Sequence, residues 1–368
     1  RHTRYWRDWS SDVCSSDLSS GRHLGHYKVL LTTTPSILTE EEKDEWIAKQ
    51  EYIIACHVMM INYCTRYRYV LQRWKEVANM MIYKEQGNVK IHRLRIIHLY
   101  KADLSLYWGE HWRRAIHRAV QNKTLHQGQY GGVPGRECTS VCYLEELRFD
   151  FSKITRYPMA NFDNDAAACY NRILIALVSL CGRKQGIHRD VIFVHATTLK
   201  EAKFKLKTKA GLSDTSYSHC TAFPIHGSGQ GLTNSPTIWC FISSELFDVH
   251  SSKANGMVFT TPDGSLLIRL NMIGFVDDST CITGGDEFTT YEQLIEMMKA
   301  DAQLWHDLLW SSGGKLELSK CGYHAIDYDF DDYGVAIMRY RSPESIKLRD
   351  HAATEVEICS KTIFTTRK

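Results

Sequence analysis

The segment GFVDDST, residues 274–280, constrains the fold of this chain most, because it ends an apolar run on two adjacent carboxylates. The residues from Leu266 to Val276 predict a strand that delivers Asp277 and Asp278 to a tight turn. Two neighbouring carboxylates repel each other, so this arrangement is unfavourable without a cation. Taken alone, the pair is more typical of a solvent-facing turn, because Asp favours turns and adjacent Asp residues are common.

A second acidic segment, FDNDAAACYNRI, begins within a predicted strand from Met159 to Asp165. Strand periodicity places Asp163 and Asp165 on the same face. A helix is predicted from Ala166 to Leu180, so the acids could also satisfy its N-terminal dipole. Two-metal phosphoryl transfer needs at least two aspartates from different strands, and Mg²⁺ prefers carboxylate, carbonyl and phosphate oxygens. The two acidic segments together therefore suit a divalent-metal site.

A third segment, GSGQGLTNSP, lies between the two acidic ones in the chain. Its glycines allow the backbone to approach a ligand closely. Ser235 and Pro236 predict a helix start, with Ser as the cap and Pro in the first turn, so free N–H groups point toward the loop. The glycines do not form a dinucleotide-binding fingerprint, because Leu232 occupies the position of the third glycine.

The remaining patterns alternate between helix and strand. Thr39, followed by acids, predicts a helical region that reaches about Lys84, with an apolar stripe typical of a packing helix. Lys203–Lys209 alternates strictly, which predicts either a half-buried strand with a cationic face or an edge strand blunted by lysines. Thr290 and Gln293 form a capping-box pattern. The other predicted elements are a strand or strand–turn–strand at 89–99, helices at 101–120 and 139–151, a hairpin turn at 262–264, a helix reaching 310, and a strand at 315–328.

The order of elements and the bulk composition define the class of protein. From Met159 onward, strands and helices alternate irregularly with acids at the ends of separate strands, which predicts an α+β domain. The 368 residues allow two or three subdomains. The net charge is only +3, so any basic surface must come from local clustering. No apolar run is long enough to span a bilayer.

The cysteines and the first residues indicate an intracellular fragment. The twelve cysteines include no CxxC pair, which favours reduced thiols in the core over a disulfide framework or a zinc site. Arg1 stands where a complete chain would have Met. Residues 9–20 have no periodicity and resemble a translated sequencing-adapter tract, so they are excluded from the fold argument.

In order and spacing, the three segments resemble motifs A, B and C of reverse transcriptases, nearest to those of non-LTR retrotransposons. Their specificity lies in the ordered set rather than in any one motif. In the motif-A match, Asp165 is followed five residues later by an aromatic residue, Tyr170. In the motif-B match, Gln230–Gly231 is followed after three residues by Ser235–Pro236. In the motif-C match, Phe275 is followed by one residue and then by Asp277–Asp278. The run QYGGVPGRE, with Gln129 and Arg136, resembles a further loop of the family.

The resemblance implies a role for each matching residue. Asp165 and Asp277 would bind two Mg²⁺ or Mn²⁺ ions with the carbonyl of Ala166, and Asp278 would be a supporting acid. Tyr170 would lie under the sugar of the incoming nucleotide. The remaining expectations are that Lys84 and Arg95 hold the phosphates, that Gln230 and Gly231 bind the nucleotide, and that Lys320 protonates the leaving pyrophosphate.

The resemblance also implies a right-hand polymerase made of fingers and palm, the palm being an antiparallel sheet backed by helices. Its partners would be an RNA template, a DNA primer and dNTPs, with no membrane. The expected divisions are a tail at 1–20, an N-terminal extension and fingers at 21–158, a palm at 159–335 with a fingers-like insertion near 187–225, and the start of a thumb or connection at 336–368.

Two departures from the family pattern keep alternatives open. Cys169–Asn171 stands where the family usually has Ala-Phe-Asp, and Ile96 stands where it has Pro. A decayed copy that only binds nucleic acid is therefore one alternative. An RNA-directed RNA polymerase is a second, which the bulk of Tyr170 disfavours because the ring would clash with a 2′-hydroxyl. A Mg²⁺-dependent nuclease is a third, for which the Gln230–Pro236 segment has no evident role.

Overall fold

The computed structural model describes residues 38–84, 88, 90, 94–208, 211–220, 227–261, 263–339 and 344–361. The expected tail at 1–20, the start of the N-terminal extension and one residue of the 262–264 turn lie outside the described residues. The α-helices are α1 (Glu40–Arg66), α2 (Ala102–Gln121), α3 (Cys138–Thr155), α4 (Ile175–Lys184), α5 (Arg189–Lys200), α6 (Ser235–Ser251) and α7 (Tyr291–Ser311). The strands are β1 (Glu76–Tyr83), β2 (Leu94–Leu99), β3 (Met159–Asp165), β4 (Lys203–Thr208), β5 (Gly211–Leu212), β6 (Met257–Thr260), β7 (Leu267–Leu270), β8 (Met272–Phe275), β9 (Asp278–Gly284), β10 (Gly322–Ile326), β11 (Tyr328–Phe330), β12 (Ala336–Met338), β13 (Ser345–Arg349) and β14 (Glu355–Cys359).

Helix α1 begins where the sequence predicts and ends much earlier. Thr39 caps it in a complete capping box with Glu42. The helix ends at Arg66, so the prediction of helix as far as Lys84 is wrong: residues 76–83 form strand β1, which pairs with two other strands. Most of the apolar stripe predicted for α1 is exposed, including Ile53, Ile54 and Val58, and Cys64 is the one buried residue of α1.

The chain divides into two compact units, residues 1–115 with 182–235 and residues 116–181 with 236–368. The first unit contains a four-stranded sheet in the order β2-β1-β4-β5. Its core includes the fully buried indoles of Trp74 and Trp108. Strand β4 lies between β1 and β5, so the interpretation of its lysines as protection for an edge strand is wrong. The other interpretation of β4, as a half-buried strand with a cationic face, is therefore the one that remains.

The second unit is built around an antiparallel sheet in the order β10-β3-β9-β8. Helix α7 packs on one face, where Trp305 Nε1 donates to Asn164 Oδ1 at 2.9 Å. The other face carries an apolar cluster that includes Met159, Ile273 and Ile282, against which side chains of α3 pack. The α+β class and the antiparallel sheet backed by helices are therefore confirmed.

Three predicted elements are broken by the structure. The helix expected at 166–180 is wrong, because Ala168 adopts a left-handed φ of +49° and a short 3₁₀ turn at Cys169–Arg172 precedes α4. The strand expected at 266–276 divides at the buried Asn271 into β7 and β8, which belong to different sheets. The strand expected at 315–328 begins with a 3₁₀ turn and divides into β10 and β11.

None of the helices described has both the length and the apolar character needed to cross a membrane.

Candidate active site

The acidic segments meet at one end of the antiparallel sheet of the second unit. Asp165 and Asp278 are register partners on β3 and β9, and Asp163 is paired with Thr280. Register partners on antiparallel strands share a face, so Asp165 and Asp278 lie side by side on the face away from Asn164. Asp277 lies in the turn between β8 and β9. The structure thus brings together all three acids that the sequence nominates.

The three carboxylates form a concentration of negative charge. Burial raises the pKa of Asp278, and the charges of Asp277 and Asp165 raise it further. The same charges act on the buried thiol of Cys169. Burial raises its pKa most, and the charges of Asp277 and Asp165 raise it further. Carboxylates that disfavour one another's ionisation are the arrangement that a bound cation would stabilise.

Lys320 supplies positive charge at this position. Its Nζ lies 2.7 Å from Asp165 Oδ2, and this hydrogen bond raises the pKa of the ammonium group. The backbone nearby is also fixed, because Glu317 N donates to Asp165 O at 2.9 Å and Ala167 N donates to Lys315 O at 2.7 Å. These two bonds bracket Ala166 and hold its peptide next to the acids.

The donor set suits a hard divalent cation that is held in part by substrate. Among the residues described, no three His, Cys, Asp or Glu side chains are placed to hold a metal ion between them. Mg²⁺ is commonly bound by one or two carboxylates together with water and substrate phosphates, and not by an all-protein cage. Asp165 and Asp278 are neighbouring carboxylates on β3 and β9, Asp277 lies in the adjoining turn, and the carbonyl of Ala166 directly follows Asp165.

Asp163 is engaged differently from Asp165, although both lie on the same face of β3. His324 Nε2 lies 2.8 Å from Asp163 Oδ2, and Thr280 Oγ1 donates to Asp163 Oδ1 at 3.0 Å. Burial acts to raise the pKa of Asp163, but these hydrogen bonds outweigh it and lower the pKa. The sequence gave no sign of His324, which lies 161 residues away on β10.

Tyr170 lies in the 3₁₀ turn, Cys169–Arg172, that follows strand β3. Its ring is half-buried, and burial raises the pKa of the phenol, with smaller contributions from Cys169 and Asp277. The phenol is therefore neutral at physiological pH. The left-handed Ala168 turns the chain so that this ring lies near the acids rather than on a long helix.

Lys84 and Arg95 lie at the same end of the β1–β2 hairpin in the first unit. Arg95 is the register partner of Ile82, and Lys84 directly follows β1. Both side chains are exposed. Two cations at one end of a hairpin can hold an anionic ligand, and the planar guanidinium suits phosphate oxygens in particular.

Gln230 and Gly231 lie in a loop that is tied to strand β2 of the same unit. His98 N donates to Gln230 O at 2.8 Å, which brings this loop to the strand that carries Arg95. Gly231 has a φ of +108°, and a Cβ there would lie 2.7 Å from His98 O. The hydroxyl of Ser235 donates to Gly229 O at 2.7 Å, so it braces the loop, whereas the sequence predicted it as a cap for α6.

The loop after α2 is hydrogen-bonded to strand β8, a contact that the sequence did not reveal. Tyr130 N donates to Gly274 O and Gly274 N donates to Gly128 O, both at 2.8 Å, so this loop runs along β8. Arg136 Nη1 donates to the carbonyls of His126 and Gln127, both at 3.1 Å, and also to that of Gln129. The cluster of glycines in QYGGVPG was the available signal.

A cleft of about 440 Å³ opens beside the acids of the second unit. Its polar lining includes Asp165, Asp278 and Lys320, and Ile273 and Phe275 contribute apolar surface. This volume is within the usual range for a small-molecule site.

No protein-family model matches the chain, and no curated protein matches it. Among solved structures, it is similar to apo telomerase from Candida Tropicalis truncated from the C-terminal domain, with a TM-score of 0.45 and 11% sequence identity over 78% of this chain and 60% of that chain. It is also similar to telomerase from Candida Tropicalis in complex with the TWJ fragment of telomeric RNA, with a TM-score of 0.44 and 14% identity over 73% of this chain and 44% of that chain. The chain thus spans less than two thirds of either telomerase chain. The functional proposal depends on the site residues alone.

Proposed function

We propose that this chain is the fingers and palm of a reverse transcriptase of the non-LTR retrotransposon type, which synthesises DNA from dNTPs on an RNA template. The observation that carries the proposal is the placement of Asp165, Asp277 and Asp278 at one end of two adjacent antiparallel strands. Two aspartates on separate strands, facing one cleft, are what two-metal phosphoryl transfer requires.

The residues of the second unit divide the chemistry among them. Asp165 and Asp277, with the carbonyl of Ala166, would hold two Mg²⁺ or Mn²⁺ ions, which when bound would supply charge stabilisation to the attacking and leaving oxygens. Asp278 would support them. Lys320, whose ammonium group is hydrogen-bonded to Asp165, would give its proton to the leaving pyrophosphate.

The residues of the first unit bind the nucleotide. Lys84 and Arg95 pair with the β- and γ-phosphates. Gln230 and Gly231 supply a close backbone surface, since Gly231 has no side chain and its neighbour is fixed to β2. RNA and DNA bind to the surrounding surface through local basic clusters, because the net charge of the chain is small.

Primer extension on matched RNA and DNA templates tests the proposal. The wild-type protein with Mg²⁺ should extend a DNA primer with dNTPs on RNA, and Asp277→Ala should lower the rate by at least about 100-fold. Asp332→Ala, which removes an exposed acid of the same unit, is the matched control and should extend at the wild-type rate.

Three outcomes would contradict the proposal. Equal extension by Asp277→Ala would remove the acids from the chemistry. Binding of primer–template without extension by the wild-type protein, in Mg²⁺ and in Mn²⁺, would identify a chain that only binds nucleic acid. Preferential use of ribonucleotides would point to an RNA polymerase instead.

A further inference from the structure

The turn that carries Asp277 is strained at the residue before it. Val276 adopts a φ of +62°, in the left-handed region. For a β-branched residue this conformation is a true outlier, and strain of this kind persists only where the surroundings enforce it. Something in the second unit must therefore hold Val276 in place.

Trp239, in the second turn of α6, makes the contact that can do this. Its indole Nε1 donates a hydrogen bond of 2.6 Å to the carbonyl oxygen of Val276. The indole is 5% exposed, so its orientation is fixed by packing. The carbonyl of Val276 and the amide of Asp277 share one rigid peptide plane. A donor that fixes this carbonyl therefore also fixes the backbone of Asp277.

Backbone of the 128–131 loop also contacts the turn. A Cβ on Gly131 would lie 2.0 Å from Val276 N and 2.7 Å from the carbonyl carbon of Phe275. The 128–131 loop is itself bonded to Gly274. The turn is thus contacted both by this loop and by the indole of Trp239.

Trp239 also reaches the other acidic segment. It lines a small cavity of about 10 Å³ together with Ala166 and Cys169. This is about the size of one water molecule, so the indole lies close behind the segment that follows Asp165. One rigid side chain therefore adjoins both segments that carry the acids.

We infer that Trp239 is a positioning residue, which holds the strained Val276 turn and sets the place of Asp277 relative to Asp165. It acts through the backbone and touches neither substrate nor metal. The inference rests on the proposed function for its catalytic consequence, but the hold on the turn is a property of the protein by itself.

The substitution Trp239→Phe tests this by removing the N–H donor and keeping most of the aromatic volume. Hydrogen–deuterium exchange of the 272–284 peptide should become faster, and exchange in 345–359 should not change. In primer extension, kcat should fall by about 10- to 100-fold, the KM for primer–template should stay constant, and half-maximal activity should need several-fold more Mg²⁺, which demands near-ideal geometry.

Trp74→Phe is the matched control, because it removes an equally buried indole hydrogen bond, of 3.0 Å to Asp103, in the first unit. It should leave the exchange of 272–284 and the Mg²⁺ requirement unchanged. Unchanged exchange of 272–284 in Trp239→Phe would overturn the inference, as would equal losses of kcat in both variants. A wild-type protein that extends no primer would refute the proposed function, while the exchange experiment would still decide whether Trp239 holds the turn.

Discussion

At the scale of single residues, the ring of Tyr170 leads to a test of sugar selectivity. The ring is half-buried beside the acids, and its raised pKa keeps the phenol neutral. A bulky neutral ring under the sugar excludes a 2′-hydroxyl, the group that distinguishes ribonucleotides. Tyr170→Ala should therefore lower the preference for dNTPs over rNTPs by about tenfold or more, on the scale of about 1.4 kcal/mol.

The measurement is the ratio of kcat/KM for dNTP and rNTP with the same primer–template. Tyr333→Ala, at a tyrosine that is 92% exposed, is the control and should keep the wild-type ratio. An unchanged ratio in Tyr170→Ala would show that another group excludes the ribonucleotide.

Single residues also show how far the site could be predicted. Asp165 was predicted as the metal-binding acid, in preference to Asp163, because of its spacing to Tyr170. In the structure the two acids have different hydrogen-bond and ion-pair partners. Asp163 is bound by His324 and Thr280, whereas Asp165 faces Lys320. The partners of Asp163 could not be predicted, because they depend on the register of β10 and β9 with β3 and not on any local pattern.

At the scale of elements, the glycine loop before α6 makes a testable contact with strand β2. Gly231 combines a φ of +108° with a close approach, since a Cβ would lie 2.7 Å from His98 O and 2.9 Å from Ile97 Cγ2. Gly231→Ala should therefore push the loop from β2. The free energy of unfolding should fall by more than the roughly 1–2 kcal/mol that a left-handed Ala costs by itself, and the KM for dNTP should rise.

The variant Gly264→Ala separates the conformational cost of a positive φ from the cost of the clash. Gly264 has a φ of +69°, but a Cβ there would meet nothing within 4 Å. This control should show the conformational cost without the clash, so its loss in urea unfolding should be the smaller one. Equal losses in the two variants would mean that the loop yields freely and that its contact with His98 is not rigid.

Element boundaries followed the sequence where a local signal existed. Thr39 was predicted as a helix cap and Thr290 as part of a capping box, and each forms a complete capping box in the structure. Strand β1 was missed because its mixed apolar sequence fits a helix as well as a strand, and pairing with β2 and β4 decides between them. The helix predicted directly after β3 was wrong for a similar reason: Ala168 takes a left-handed conformation that its side chain does not announce.

At the scale of the whole molecule, three histidines with strongly lowered pKa values make stability depend on pH. Burial is the main cause that lowers the pKa of His98, His126 and His195 from 6.5 to about 4. The unfolded chain takes up protons on these rings as the pH falls below about 6.5, while the folded protein does so only near pH 4. The stabilisation is therefore complete above about pH 6.5 and is lost progressively between there and pH 4.

Each ring should contribute a slope of at most about 1.4 kcal/mol per pH unit in this window. His98 and His195 belong to the first unit and His126 to the second, so both units should weaken together. Urea unfolding at intervals from pH 7.5 to pH 4.5 measures the slope. His195→Leu should flatten it by about the share of one histidine, because Leu fills the site between Trp108 and Trp112 without titrating.

His117→Leu, at an exposed position of α2, is the control and should leave the slope unchanged. If His195→Leu unfolds with the same pH dependence as the wild-type protein, the ring at 195 takes up its proton equally in both states. The acid sensitivity would then come from His98 and His126, which titrate in the same window, and from the carboxylates, which lose their hydrogen bonds and ion pairs at lower pH. A loss with its midpoint between pH 4 and 6.5 would indicate the two histidines, and a loss near pH 4 would indicate the carboxylates.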